Sequence, residues 1–170
     1  MNSVQVHLAL THVPVILSLV GLVMLIVAFF IKNTMLTKTS YMLLVVAGIA
    51  AAPVFFSGEG AEEAIENLPG VSDSIIESHE DVAKFAMISI AATGLLALAA
   101  LFSFQWQSVS RTFKMVVLLL AIAAGGLMVQ TAHLGGQIRH TEVRSGAVLN
   151  GNEPGGENES NGNGHQEDGD

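Results

Sequence analysis

The chain reads as an all-α integral membrane protein: an up-down-up-down bundle of four spanning helices, with a short extramembrane amphipathic helix. Three observations predict this. Four apolar stretches recur along the 170 residues, at Val13–Ile31, Tyr41–Phe56, Phe85–Phe104 and Met115–Val129. Charged residues make up only 13% of the chain against 51% apolar, and they gather between those stretches. Val13–Ile31 carries no charge on any face, whereas a surface helix of a soluble bundle keeps a polar one.

A spanning helix needs about 20 apolar residues at a rise of about 1.5 Å each. The first and third stretches reach that length. Ser40–Ser57 and Thr112–Leu134 complete the other two, which places the spans at about 12–31, 40–57, 82–104 and 112–134. Met1–Thr11 carries no Lys or Arg, and the first apolar run exceeds a typical signal core, so it is expected to be retained as a span. Pro14 suits the first turn of the first helix, where a missing N–H is tolerated. Asn33–Ser40 reads as a polar turn. Pro53 is expected to kink the second span close to its end.

The connection 58–81 is acidic. Within it Ala61–Leu68 reads as the amphipathic helix, with Ala61, Ala64, Ile65 and Leu68 on one side and Pro69-Gly70 as its stop. Ser72 or Ser74 then caps a long third helix, Ser74-x-x-Glu77 matching a capping box, that runs from about Asp73 through Phe104. Gly135-Gly136 is a stop signal for the fourth. Residues 1–146 thus form one membrane domain. The remainder, 147–170, is a tail of Gly, Asn and Glu, with six acids and no base from Asn150 onward, too polar to fold. The tail supplies most of the net charge of −8.

Composition narrows the chemistry. Cysteine is absent, which excludes disulfides, iron–sulfur clusters, Cys-ligated zinc and a CxxCH haem attachment. The lipid bilayer is the expected partner and nucleic acid is not. Lys32, Lys38, Arg111 and Lys114 lie in the first and third connections, whereas the second holds Glu59, Glu62, Glu63, Glu66, Asp73, Glu77, Glu80 and Asp81 without a base. Positive charge is retained in the cytoplasm. Both termini and the acidic connection are therefore expected outside, on the periplasmic face of a bacterial inner membrane. Lys84, Arg139 and Arg144 run against the rule; Lys84 can snorkel to the surface.

Apart from His165 in the tail, the histidines all fall at that outer end: His7 and His12 before the first span, His79 before the third, His133 and His140 after the fourth. Imidazole is a ligating group that is poorly placed near lipid without a partner. Two chemistries use such a layer. A b-type haem takes two axial histidines, with His12 and His79 the first choice and His140, His7 and His133 the alternates. Alternatively His7, His12 and His79 with Glu59, Glu63 or Glu80 hold a transition metal ion directly. With neither, the chain is a structural assembly subunit, since a lone interfacial histidine is more often a satisfied polar anchor than a ligand. No HExxH or ExxH motif is present, and an electron-transfer or accessory role is expected rather than an enzyme. His7 and His12 stand five residues apart, about 140° around a helix, so both serve one site only if the helix begins between them. Gly21, Gly48, Gly94 and Gly125-Gly126 lie deeper and read as close helix packing.

His7-x4-His12-x-Pro14, the acidic connection, His79 and the closing Gly135-Gly136-x-x-x-His140 together resemble a family of bacterial four-helix membrane domains of unknown function. Its members begin with a His-Pro…His-Phe-Pro pattern and end with Gly-Gly followed by Arg-His-Gly. The resemblance covers about residues 7–146 through short motifs. Leu8 stands where the family has proline, Val13 where it has phenylalanine, and the stretch from Gly136 to Arg139-His140 is shorter. By that match His7, His12, His79 and His140 carry over and His133 does not. The family looks redox-associated, some members being fused to Rieske-type domains. The resemblance therefore implies haem, and respiratory or other redox partners.

Overall fold

The computed structural model describes residues 3–66, 68, 71–106 and 111–139. Among them it is all-helical: α1 (Ser3–Ile31), α2 (Thr34–Glu62), α3 (Asp73–Trp106) and α4 (Arg111–Arg139). All four contain a stretch long and apolar enough to cross a membrane, 28 to 32 residues each. At about 1.5 Å per residue these helices exceed the roughly 30 Å hydrocarbon layer, so their ends project beyond it. His140 and the tail lie outside the described residues.

α1 packs on α2 and α4, and α3 packs on the same two, so α1 and α3 stand diagonally across the bundle. The packing is inverted relative to a soluble protein. Small side chains fill the interior, with Ala47, Ala51, Ala86, Ala97, Ala100, Ala121 and Ala124 buried around Tyr41, Leu44, Ile90 and Val117. Large apolar side chains face outward instead, Phe30 at 76% exposure and Phe56 at 75%, as lipid contact requires. Buried serine and threonine hydroxyls stay satisfied within their own helices: Ser18 donates to Val15 O at 2.9 Å, Ser40 to Leu36 O at 2.7 Å and Thr93 to Ser89 O at 2.7 Å.

Backbones meet at Gly48 and Gly94. A Cβ on Gly48 would lie 3.2 Å from Ile90 O, and one on Gly94 would lie 3.2 Å from Leu44 O and 3.6 Å from Gly48 Cα. These two glycines set the α2–α3 separation. Gly125 meets the Leu22 side chain and Gly21 that of Leu44, but Gly126 faces open space, so close packing does not explain it.

Several helix ends differ from the sequence expectation. Helix α1 starts at Ser3, which puts Pro14 inside it rather than in its first turn. Lys32 adopts φ 55, Asn33 N–H closes back on Ala28 O at 3.3 Å, and Asn33 Oδ1 accepts from Leu36 N–H at 3.0 Å. One residue in left-handed conformation therefore ends α1, and the next caps α2. Of the expected polar turn 33–40, only the cap Asn33 lies outside helix. Helix α2 continues through Pro53 to Glu62. The expected amphipathic helix is not a separate element: Ala61 belongs to α2, and turns closed by Ile65 N–H to Glu62 O and Leu68 N–H to Ile65 O follow it. Ala64 and Leu68 are exposed, so the segment lacks the buried face that would hold a helix there. Ser72 directly precedes α3, and Ser74 sits inside that helix rather than capping it. Helix α4 runs through Gly135-Gly136 to Arg139.

Candidate cofactor-binding site

One end of the bundle collects the start of α1, the end of α2, the start of α3 and the end of α4. His7, His12, His79 and His133 all occur there, on three of the helices. Because α1 begins at Ser3, His7 and His12 belong to one continuous helix and face in different directions.

His7 turns inward against α2. Its Nδ1 lies 2.9 Å from Ser57 Oγ, and that hydroxyl donates to Val54 O at 2.8 Å. With its hydrogen committed, the Ser57 oxygen accepts from Nδ1–H of His7. The ring sits over Gly58, where a Cβ would approach its Cε1 to 3.6 Å. His79 turns inward against α4. Its Nδ1 lies 3.0 Å from Thr131 O, an acceptor only, so Nδ1 carries the hydrogen here too. The ring rests on Gly135, where a Cβ would stand 3.2 Å from Cε1. This contact explains the glycine that looks like a helix stop: it makes room for an imidazole inside a continuing helix.

The result is a paired arrangement. Each of the diagonal helices α1 and α3 contributes one half-buried imidazole. Each imidazole is oriented by a polar group of the adjoining helix and packed on a glycine one residue or one turn beyond it. In both neutral imidazoles the lone pair resides on Nε2, the nitrogen available to a ligand.

The other candidates do not join this layer. His12 is exposed and bonds Leu8 O of its own helix at 2.8 Å. His133 is exposed and pairs with Gln137 at 2.8 Å. It lies two residues from both Thr131 and Gly135, about 200° around α4 from the face that meets His79. Glu59 and Glu63 are exposed, and Glu80 forms an ion pair with Lys84 at 3.3 Å. Lys84 also reaches Asp81 at 3.6 Å, which neutralises the one base among these acids. Glu62, Glu66, Asp73, Glu77 and Glu80 line an open groove of about 320 Å³ floored by Ile76, a solvated acidic face. Among the described residues no three His, Asp or Glu side chains gather where they could hold a metal ion together.

Sequence reading missed Ser57, Gly58, Thr131 and Gly135 as partners of the histidines. Their signal was present as small or hydroxylic residues in the same layer, but helix phase was needed to see it. No protein-family model, curated protein or solved structure matches the chain. What this end of the bundle can do is therefore read from its own side chains.

Proposed function

We propose that the protein is a membrane electron carrier that binds b-type haem between His7 and His79, at the outer face of a bacterial inner membrane. The donor set carries this reading. A bare transition metal needs three or more protein ligands, whereas haem iron asks the protein for two axial imidazoles and brings four nitrogens of its own. His7 and His79 are two such groups, each oriented through its Nδ1. Bound haem would supply reversible one-electron chemistry. The chain's own contribution is to fix both imidazoles: Ser57 and the Thr131 carbonyl hold their tautomers and raise their basicity as ligands. Gly58 and Gly135 let the rings sit close to the helix backbones, and the surrounding helices limit water.

The distribution of charge supports the outer location. The opposite end carries Lys32, Lys38, Arg111 and Lys114, which favour the cytoplasm. Respiratory or other redox proteins of the same membrane are the natural electron partners.

A second reading has its own observation. Each imidazole already has a hydrogen bond and a glycine seat, so the pair can act as interhelical staples in a haem-free assembly subunit. An absorption spectrum of the purified, dithionite-reduced protein separates the two. A Soret band with sharp α and β bands is expected. A colourless protein, expressed with ample haem supply, overturns the haem reading in favour of the staple.

A further inference from the structure

The basic end of the bundle concentrates positive charge with nothing to balance it. Helices α2 and α4 both begin here, and neither has an acid in its first turn. Their N-terminal dipoles already favour an anion. Lys38 lies in the second turn of α2, and Arg111 and Lys114 in the first of α4, where a cation is disfavoured. No carboxylate is available in the chain to compensate: neither 1–58 nor 82–141 contains a single Asp or Glu.

The cations are nevertheless drawn together. Lys38 Nζ stands 5.1 Å and Lys114 Nζ 5.7 Å from the centroid of one ring, Phe104 of α3. The Arg111 guanidinium stands 5.9 Å from the ring of Phe29. A single aromatic ring offsets only part of the repulsion between two ammonium groups. Tyr41, whose ring centroid is 6.4 Å from that of Phe104, is fully buried, and its hydroxyl has no hydrogen-bond partner among the described residues. This end thus holds two ammonium groups at one ring and a guanidinium at a second, all within the first two turns of α2 and α4. Exposed apolar side chains, Met35, Phe102 and Met115 among them, surround it.

We propose that Lys38 and Lys114, held over Phe104 between α2, α3 and α4, form a headgroup site for an anionic phospholipid. The phosphate sits between the two ammonium groups, and the acyl chains run along the outward apolar side chains. The lipid supplies the charge the chain omits. It also gives the Phe104 clamp a purpose: the ring holds both lysines toward the bundle instead of letting them extend into water.

Native mass spectrometry of the full chain in detergent tests this, offering phosphatidylglycerol against phosphatidylcholine of identical acyl chains. Each basic residue near an anionic lipid surface contributes about fivefold. Phosphatidylglycerol is therefore expected to be retained roughly 25-fold over phosphatidylcholine, with the preference falling as salt rises. The double variant Lys38→Gln/Lys114→Gln should bring the two lipids close to parity, whereas Lys84→Gln at the other end should leave the preference intact. Equal retention by the unaltered protein, or a preference that survives the double variant, overturns the proposal. Inorganic phosphate that displaces phosphatidylglycerol at millimolar concentration overturns the lipid assignment in favour of a free anion. Should the double variant fail to fold, the salt series on the unaltered protein decides: a salt-independent preference sinks the site.

Discussion

Replacing Gly94 by alanine probes the contact that sets the bundle's geometry. The added Cβ lies 3.2 Å from Leu44 O and 3.6 Å from Gly48 Cα, both backbone atoms that cannot rotate away. Helices α2 and α3 must therefore separate by a few tenths of an ångström along a shared face. Overpacking of this kind costs about 1–3 kcal/mol, and alanine's helix propensity returns up to about 1 kcal/mol. The net expectation is a loss of about 1 kcal/mol for Gly94→Ala. Gly94→Val adds bulk without that propensity gain and should lose about 3 kcal/mol. Thermal unfolding in a mild detergent reads this directly, at roughly 3 °C per kcal/mol for a chain of this size. Gly126→Ala is the matched control: nothing lies within 4 Å of its Cβ position, so it should be neutral or slightly stabilising. Equal shifts of the midpoint in the same direction for Gly94→Ala and Gly126→Ala would refute the close α2–α3 contact.

Other outcomes follow from the helix ends and from the charges. Lys32 holds φ 55, a conformation that costs an L-residue about 1 kcal/mol, so Lys32→Gly should stabilise by up to that amount and Lys32→Val should destabilise. Asn33→Ala removes the acceptor for Leu36 N–H and should cost about 1 kcal/mol in the same unfolding assay. For orientation, the chain has no native cysteine, so single replacements label without background. Glu63→Cys should react with an impermeant thiol reagent in intact cells and Thr34→Cys should not; the opposite pattern would reverse the proposed topology.

Fold class was legible because the two signals that specify it are collective. Apolar runs long enough to span, and charges confined between them, survive errors of several residues. Helix ends were less legible, since local interactions and tertiary neighbours decide them. Ser3–Thr11 is not apolar enough to read as part of a span, yet it continues α1 and so determines which way His7 points. Gly135-Gly136 carries the ordinary mark of a helix terminus. The His79 ring seated on Gly135, a contact between residues far apart in sequence, accounts for the first of the two glycines. Ser74 matched a capping pattern, but the helix had already begun at Asp73.

The histidine layer shows the same division. That the histidines gather at one end follows from counting helices and needs no phase. Which of them meet needs the phase of each helix to within about 50°, which requires knowing where each helix begins. His12 was the natural first choice as the residue nearest its span, yet it faces outward and is held by Leu8 O. Five residues of separation on an unbroken helix place His7 and His12 about 140° apart, and the inward direction belongs to His7.

The central claim is that His7 and His79, rather than the other histidines of that end, hold the cofactor. The decisive measurement is haem content per chain, by reduced pyridine hemochrome, across four single alanine variants purified in parallel. Loss of either axial imidazole should leave an open, exchangeable position, so His7→Ala and His79→Ala should lose most of the haem. They should also unfold at lower temperature, because a ligand bound only to the folded state stabilises it by mass action. His12→Ala and His133→Ala, exposed and bonded within their own helices, should retain full content. Equal haem content in all four variants, or loss confined to His12 and His133, would contradict the account.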